Sequence, residues 1–381
     1  MSHKKFRADQ LFDGYQLLDD QHVLVTTNEG IIEGIVPIEE AGDEVQTLKG
    51  ILSPGLINCH CHLELSHMKG MIDKGTGLTD FVFKIVTQRH IAEEEILKAI
   101  EDAEDEMLKN GTVAVGDICN NILTLAQKTK KRLHYHNFVE ASGFNPQLAK
   151  SRFERSLAFL NEYIKVAPSS IVPHAPYSVA DELWEMIIDY PGNKLMTIHN
   201  QETVAENDWF NDKNGDFIDF YNKMNIDTSF FSAPGTSSLQ SYLAKFRKNQ
   251  SLILVHNVHT SVGDLQFASA SQKDIAWCFC PNANLYIGGQ LPAIDLFIEN
   301  GCDIVLGTDS LASNQQLSII HEIKTIKDHF PAIKTDLLLQ WATLNGAKAL
   351  QMDKLLGSFE VGKRPGVILC DNDLSSSRRL L

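Results

Sequence analysis

From Ile51 onward, short β-branched runs alternate with longer segments of helical periodicity. That alternation is the pattern of a mostly parallel sheet with helical crossovers. Eight candidate strands end near Asn58, Ile118, Glu140, His174, His199, His256, Cys280 and Asp309. Between the first two lies Ala92 to Asn110, with Glu93, Glu94 and Glu95 at its start and Asn110-Gly111 at its end. Acids in a first turn suit the positive end of the helix dipole, and Asn-Gly is a helix stop. The alternation predicts an α/β fold, a (β/α)8 TIM barrel over residues 51–356. By pattern alone a doubly wound sheet also fits.

Residues 1–50 carry short apolar pieces, His22 to Thr26 and Ile31 to Val36, separated by Gly-containing turns. Residues 357–381 open with a turn and a strand, Gly357 to Cys370. The two ends are predicted to meet in one small β-sandwich outside the barrel. The stretch Ser375 to Arg379 reads as a frayed terminus.

Composition adds limits. A chain of 381 residues with 43% apolar content can bury a full core. Its net charge of -15 argues against nonspecific binding to nucleic acid or anionic membrane. No apolar run approaches the ~20 residues that span a bilayer. Seven cysteines without framework spacing suggest reduced thiols, and the start MSHKKFRADQ shows no apolar segment after its basic residues. A cytoplasmic location is expected, with a homodimer as one candidate assembly.

The candidate chemistry begins at Asn58-Cys59-His60-Cys61-His62. Histidines two positions apart at a strand end face one side, so both imidazoles can reach one metal ion. Cys59 and Cys61 then face the other side, which makes Cys-His-Cys-His a poor zinc ribbon, and no Cys-x-x-Cys pair exists to complete one. Alone, His-x-His would serve equally well as a polar strand end. Downstream, however, His199 and His256 end two further apolar strands, and Ile304-Val-Leu-Gly-Thr-Asp309 ends in aspartate. In a (β/α)8 barrel the reactive side chains gather at these C-terminal ends. His60, His62, His199 and Asp309 make a three-nitrogen, one-oxygen set suited to Zn²⁺ first, with Fe²⁺ or Mn²⁺ as alternatives.

These motifs, with His174-Ala-Pro-Tyr177, His199-Asn-Gln-Glu202, Val255-His256-Asn-Val-His259, Cys280-Pro-Asn-Ala-Asn284, Leu306-Gly-Thr-Asp-Ser310 and Gly357-Ser-Phe-Glu-Val-Gly362, resemble the amidohydrolase superfamily. The resemblance runs in family order from about residue 50 to 370. It implies a barrel with a terminal sandwich, the four metal ligands just named, and His256 as the residue that polarises the attacked group or holds the water. Two-metal members supply a bridging lysine or carboxylate near the end of strand four. Ile171 to Val179 has neither, so the resemblance implies one divalent metal.

His199-x-x-Glu202 resembles the branch that deaminates cytosine, guanine and adenosine-like compounds. There the glutamate protonates a ring nitrogen while Asp309 would take the water's proton and pass it to the leaving amine. His174 matches a substrate-contacting histidine, and Glu64 and His67 are further candidate substrate contacts. His259 reads as a loop residue, Cys278 and Cys280 as packing, and the acids from Glu101 to Glu106 as a solvated helix face.

The expected activity is hydrolytic deamination of an aminated heterocycle, most simply a purine nucleoside-like compound. His-Leu-Glu-Leu-Ser66 is similar to aminodeoxyfutalosine deaminases, which makes aminodeoxyfutalosine one such compound. Lys69, Lys84 and Arg89 are candidates to meet its carboxylate. A chlorohydrolase or amide-ring hydrolase on the same scaffold, and a non-catalytic metal-binding paralogue, are the alternative readings.

Overall fold

The computed structural model describes residues His3 to Leu381. Eight parallel strands run in chain order: β1 (Leu56–Cys61), β2 (Thr112–Cys119), β3 (His134–Ala141), β4 (Ser169–Pro173), β5 (Leu195–Asn200), β6 (Ser251–His256), β7 (Ile275–Phe279) and β8 (Asp303–Leu306). They form two four-stranded ladders, β1 to β4 and β5 to β8. The seams between the ladders close the barrel. At one, the His199 N–H donates to the His174 carbonyl at 3.0 Å. At the other, the N–H groups of Thr308 and Asp309 donate to the His60 carbonyl at 2.9 and 3.1 Å. An open, doubly wound sheet is thereby ruled out.

The second seam needs a close approach that the sequence provides. A Cβ on Gly307 would stand 2.8 Å from His60 Cβ and 2.9 Å from Cys278 Sγ, so only glycine lets the chain after β8 lie against β1. Strand β2 is buried along its whole length. Side chains fill the barrel on one face and helices cover the other, which is why the strands read as near-continuous apolar runs. The helix Glu93–Lys109 packs Ile96, Ile100, Ala103 and Met107 inward, a spacing of three and four residues that makes one face. Glu104 departs from the expected solvated face. It is fully buried and accepts from the Tyr135 hydroxyl at 2.8 Å, and Arg132 lies 3.3 Å away.

The terminal segments form two small sheets. One orders Ile32–Pro37, His22–Thr27, His3–Arg7 and Val45–Thr47. The other orders Ser377–Arg379, Val367–Cys370, Ile51–Pro54, Gln10–Phe12 and Leu17–Leu18. They share an apolar cluster that includes Phe6, Leu11, Leu24, Leu52 and Val367. Two details differ from the sequence reading. Ile51–Pro54, taken as the head of the barrel, pairs with Val367–Cys370 and so belongs to the terminal sheets. The tail is not frayed, because Ser377–Arg379 pairs antiparallel with Ile368 to Cys370.

A second apolar cluster roofs the C-terminal end of the barrel. The helices Leu78–Gln88 and Phe217–Lys223 contribute Phe81, Phe217, Phe220 and Tyr221 to it, beside Phe144, Tyr177 and Trp209. This roof shapes the space above the strand ends.

Candidate active site

The barrel brings four separated side chains to one point. His60 is the last residue but one of β1, His62 follows the strand, His199 lies near the end of β5, and Asp309 follows β8. Their ligating atoms all lie within 4.8 Å of one another. Asp309 Oδ1 stands 3.5 Å from His60 Nε2 and 3.4 Å from His62 Nε2, and His62 Nε2 is 3.3 Å from His199 Nε2. Cys59 turns away toward the Gly346 carbonyl, as strand alternation requires.

Backbone geometry holds these positions against a cost. Asp309, His256 and Asn257 have φ values of 56°, 77° and 60°, a left-handed region that costs a non-glycine residue about 1 kcal/mol or more. The side-chain amide of Asn257 donates to the carbonyls of Leu254 at 2.8 Å and Cys278 at 3.1 Å, and its N–H donates to Asn200 at 2.9 Å. The Ser313 hydroxyl donates to Asp309 Oδ2, leaving Oδ1 toward the histidines.

Electrostatics favour the ligand forms. Burial pushes His62 down to about 3 and His199 well below the usual imidazole range, so both rings are neutral and keep a lone pair. Burial alone would raise Asp309. The imidazoles of His60, His62 and His256 around it outweigh burial and hold the carboxylate well below its usual range. Both ring nitrogens of His60 are buried without a hydrogen-bond partner. Orphaned nitrogens beside a carboxylate and two neutral imidazoles fit a divalent metal ion, and the set of donors suits zinc chemistry.

Glu202 and His256 stand beside this cluster. His256 Nε2 lies 3.6 Å from Glu202 Oε2, and Glu202 Oε1 is buried with no partner. Burial, reinforced by the negative charges of Asp309 and Glu206, raises Glu202 well above the carboxylate range. A carboxyl raised in this way keeps its proton to a higher pH than a free glutamate does. His174 sits on the wall between β4 and β5 with its Nδ1 2.8 Å from Ser178 Oγ.

These groups face a cavity of about 340 Å³. Its floor carries His62, His174, His199, Glu202, His256 and Asp309, and its outer wall is apolar, with Phe81, Ile85, Phe144, Phe220, Tyr221 and Ile226. Arg89 and Arg152 also reach this wall. Glu64 and His67, read from the sequence as substrate contacts, do not line it. Glu64 is buried and accepts the Asn120 N–H at 2.9 Å, and His67 Nε2 bonds the Arg89 carbonyl at 2.9 Å. Lys69 and Lys84 are absent from the wall as well. Among the lining residues without a role in the sequence reading are Glu140 and Asn120. Glu140, raised to about 8 by burial, accepts from Asn120 Nδ2 at 2.8 Å and lies 3.5 Å from His199 Nδ1. Glu140 does end a predicted strand, which was the available signal; Asn120 offered none.

A buried three-histidine, one-aspartate centre at the mouth of a (β/α)8 barrel defines a metal-dependent hydrolase. The Amidohydrolase family model matches residues 51–379, and the chain belongs to that family. It is a hydrolase acting on carbon–nitrogen bonds. An adenosine deaminase of Helicobacter pylori is 27% identical over 321 residues, covering 82% of this chain and 77% of that protein. A 5-methylthioadenosine/S-adenosylhomocysteine deaminase of Thermoanaerobacter pseudethanolicus is 25% identical over 344 residues, 85% of this chain and 74% of that one. Among solved structures, Helicobacter pylori aminofutalosine deaminase in complex with methylthio-coformycin matches with a TM-score of 0.80 at 23% identity. The match covers 97% of this chain and 92% of that one, and it carries the fold. No helix among the described residues is long and apolar enough to cross a membrane.

Proposed function

We propose that this chain is a mononuclear, zinc-dependent deaminase of purine nucleoside-like compounds, with His60, His62, His199 and Asp309 holding the ion. The single observation that carries the reading is a buried Glu202 carboxyl 3.6 Å from His256 at the edge of the ligand cluster, where burial shifts it toward its protonated form. When bound, the ion supplies Lewis acidity and lowers the pKa of water at the site.

The chain's own groups account for the remaining chemistry. An aromatic amidine carbon is a poor electrophile until its ring nitrogen is protonated, and the Glu202 carboxyl is the group placed to donate that proton. Water adds to the adjacent carbon. The Asp309 carboxylate accepts the water's proton and returns it to the amine, which leaves as ammonia, while the new hydroxyl gives its proton back to Glu202 and becomes the ring carbonyl. His256 faces the same carbon from the side of Glu202. His174 and Glu140 contact the ring or its sugar from the β3–β4 side of the cavity.

The outer wall suggests what the nucleoside carries. Its aromatic and aliphatic side chains suit a bulky apolar substituent, and Arg89 and Arg152 suit an anionic end. The charge of Arg89 already acts on the buried carboxyls of Glu64 and Glu140 beside the cavity. Among the three cations weighed from the sequence, only Arg89 reaches the wall. Aminodeoxyfutalosine, with its benzoate, meets these requirements. The relatives whose names specify adenosine and 5-methylthioadenosine support the adenine ring as the common part. Ammonia release by the zinc-loaded chain from adenosine, 5′-methylthioadenosine and aminodeoxyfutalosine tests the reading. Inertness toward all three would contradict it.

A further inference from the structure

Asn284 lies in the short helix Pro281–Ile287 that follows β7, and it is 2% exposed. Its Nδ2 stands 3.0 Å from His256 Nδ1, while its own Oδ1 is buried without a partner. In this orientation the amide nitrogen donates and His256 Nδ1 accepts. A neutral imidazole that accepts at one nitrogen carries its single proton on the other. We infer that Asn284 is a positioning residue that fixes His256 as the Nε2–H tautomer, so that His256 acts as a hydrogen-bond donor and not as a base.

The arrangement around the ring supports this direction. His256 Nε2 faces Glu202 Oε2 at 3.6 Å, and with the carboxyl proton on the other oxygen, Oε1, Oε2 favours an N–H there. The ring has little freedom to turn away, because both ends of the contact are tied to the same strand ends. His256 sits at φ 77° ahead of Asn257, whose amide bonds the Cys278 carbonyl at 3.1 Å. The Asn284 N–H donates to the Cys280 carbonyl at 3.0 Å. With the two backbones fixed, the identity of the side chain at 284 decides where the ring proton resides. An acceptor in place of the Asn284 nitrogen would draw the proton to Nδ1. Nε2 would then present a lone pair to Glu202 and to the reacting carbon.

The test follows the ring nitrogens directly. In 15N spectra of the zinc-loaded, histidine-labelled full chain at pH 7, His256 is assigned by the signal lost in His256→Asn. The wild type is expected to show a bare Nδ1 and a protonated Nε2. Asn284→Asp should move the proton to Nδ1 or protonate both nitrogens, and Asn284→Ala should give a mixture, with zinc content unchanged in both. A protonated Nδ1 in the wild type, or a tautomer unaltered by both substitutions, would overturn the proposal; the wild-type spectrum decides even where a variant does not fold. A kinetic arm rests on the deaminase reading. With 5′-methylthioadenosine, Asn284→Asp should lower kcat about tenfold or more while KM stays within about threefold, the pattern of a lost transition-state contact. Absence of turnover by the wild type would count against the deaminase reading and leave the spectra to decide the tautomer.

Discussion

His62 Nε2 and Asp309 Oδ1 stand 3.4 Å apart, although one follows the first barrel strand and the other the last. The ligand cluster thus doubles as the latch of the barrel, beside the seam where Thr308 and Asp309 donate to the His60 carbonyl. Replacing either His60 or Asp309 by alanine should abolish zinc binding and activity together. Elemental analysis is expected to give about one zinc per wild-type chain, since among the described residues the other candidate group, Glu140, His174 and His199, shares His199 with the three-histidine, one-aspartate set. Two stoichiometric metals in active protein would contradict this.

Glu202→Gln keeps the side chain's shape and removes its proton. Zinc content should stay near wild type while kcat falls by about 10²-fold or more, the scale of a lost general acid. An unchanged kcat would make Glu202 a bystander.

The two guanidiniums on the outer wall should govern affinity for the anionic end of a substrate. Arg89→Ala and Arg152→Ala should each raise KM for aminodeoxyfutalosine by about tenfold or more, the loss expected for a charge-assisted hydrogen bond. Adenosine, which has no anionic end, should be little affected. Equal losses on both compounds would mean that the arginines act through structure.

Glu206 gives a pH signature separate from catalysis. Burial raises its carboxyl from 4.5 to about 7, against hydrogen bonds from Ser238 and the Gln201 backbone that lower it. Between those values the folded chain holds a proton that the unfolded chain has released, so this group's contribution to stability falls as pH rises from about 4.5 to about 7. The pH-dependent part is about 3 kcal/mol at most, at about 1.4 kcal/mol per pKa unit. Relative to wild type, Glu206→Gln should therefore gain stability between pH 5 and pH 8. Thermal denaturation at the two values checks the sign.

What was legible in the sequence depended on local pattern. Strand-end residues such as His60, His199 and His256 could be found because an apolar run names the strand and the fold then names its reactive end. Residues that work by crossing between elements were not legible. Asn284 stands in a quoted motif, yet its partner His256 belongs to a different strand, and only the packed barrel sets them 3.0 Å apart. Arg152 lies on the exposed side of a helix with no pattern to mark it as a cavity residue. Conversely, Glu64 and His67 were favoured by their nearness in sequence to His62, but the loop turns them toward Asn120 and Arg89 instead of the cavity.

The central claim is that the zinc-loaded chain removes the amine of an adenine ring. Following the absorbance change of adenine-to-hypoxanthine conversion across adenosine, its 5′-thioether derivatives and aminodeoxyfutalosine measures this directly. Turnover is expected, with kcat/KM highest for the compound that has both an apolar substituent and an anionic end. If every adenine compound is inert while guanine, cytosine or a chlorinated triazine is consumed, the barrel and its metal centre stand and the substrate assignment is wrong.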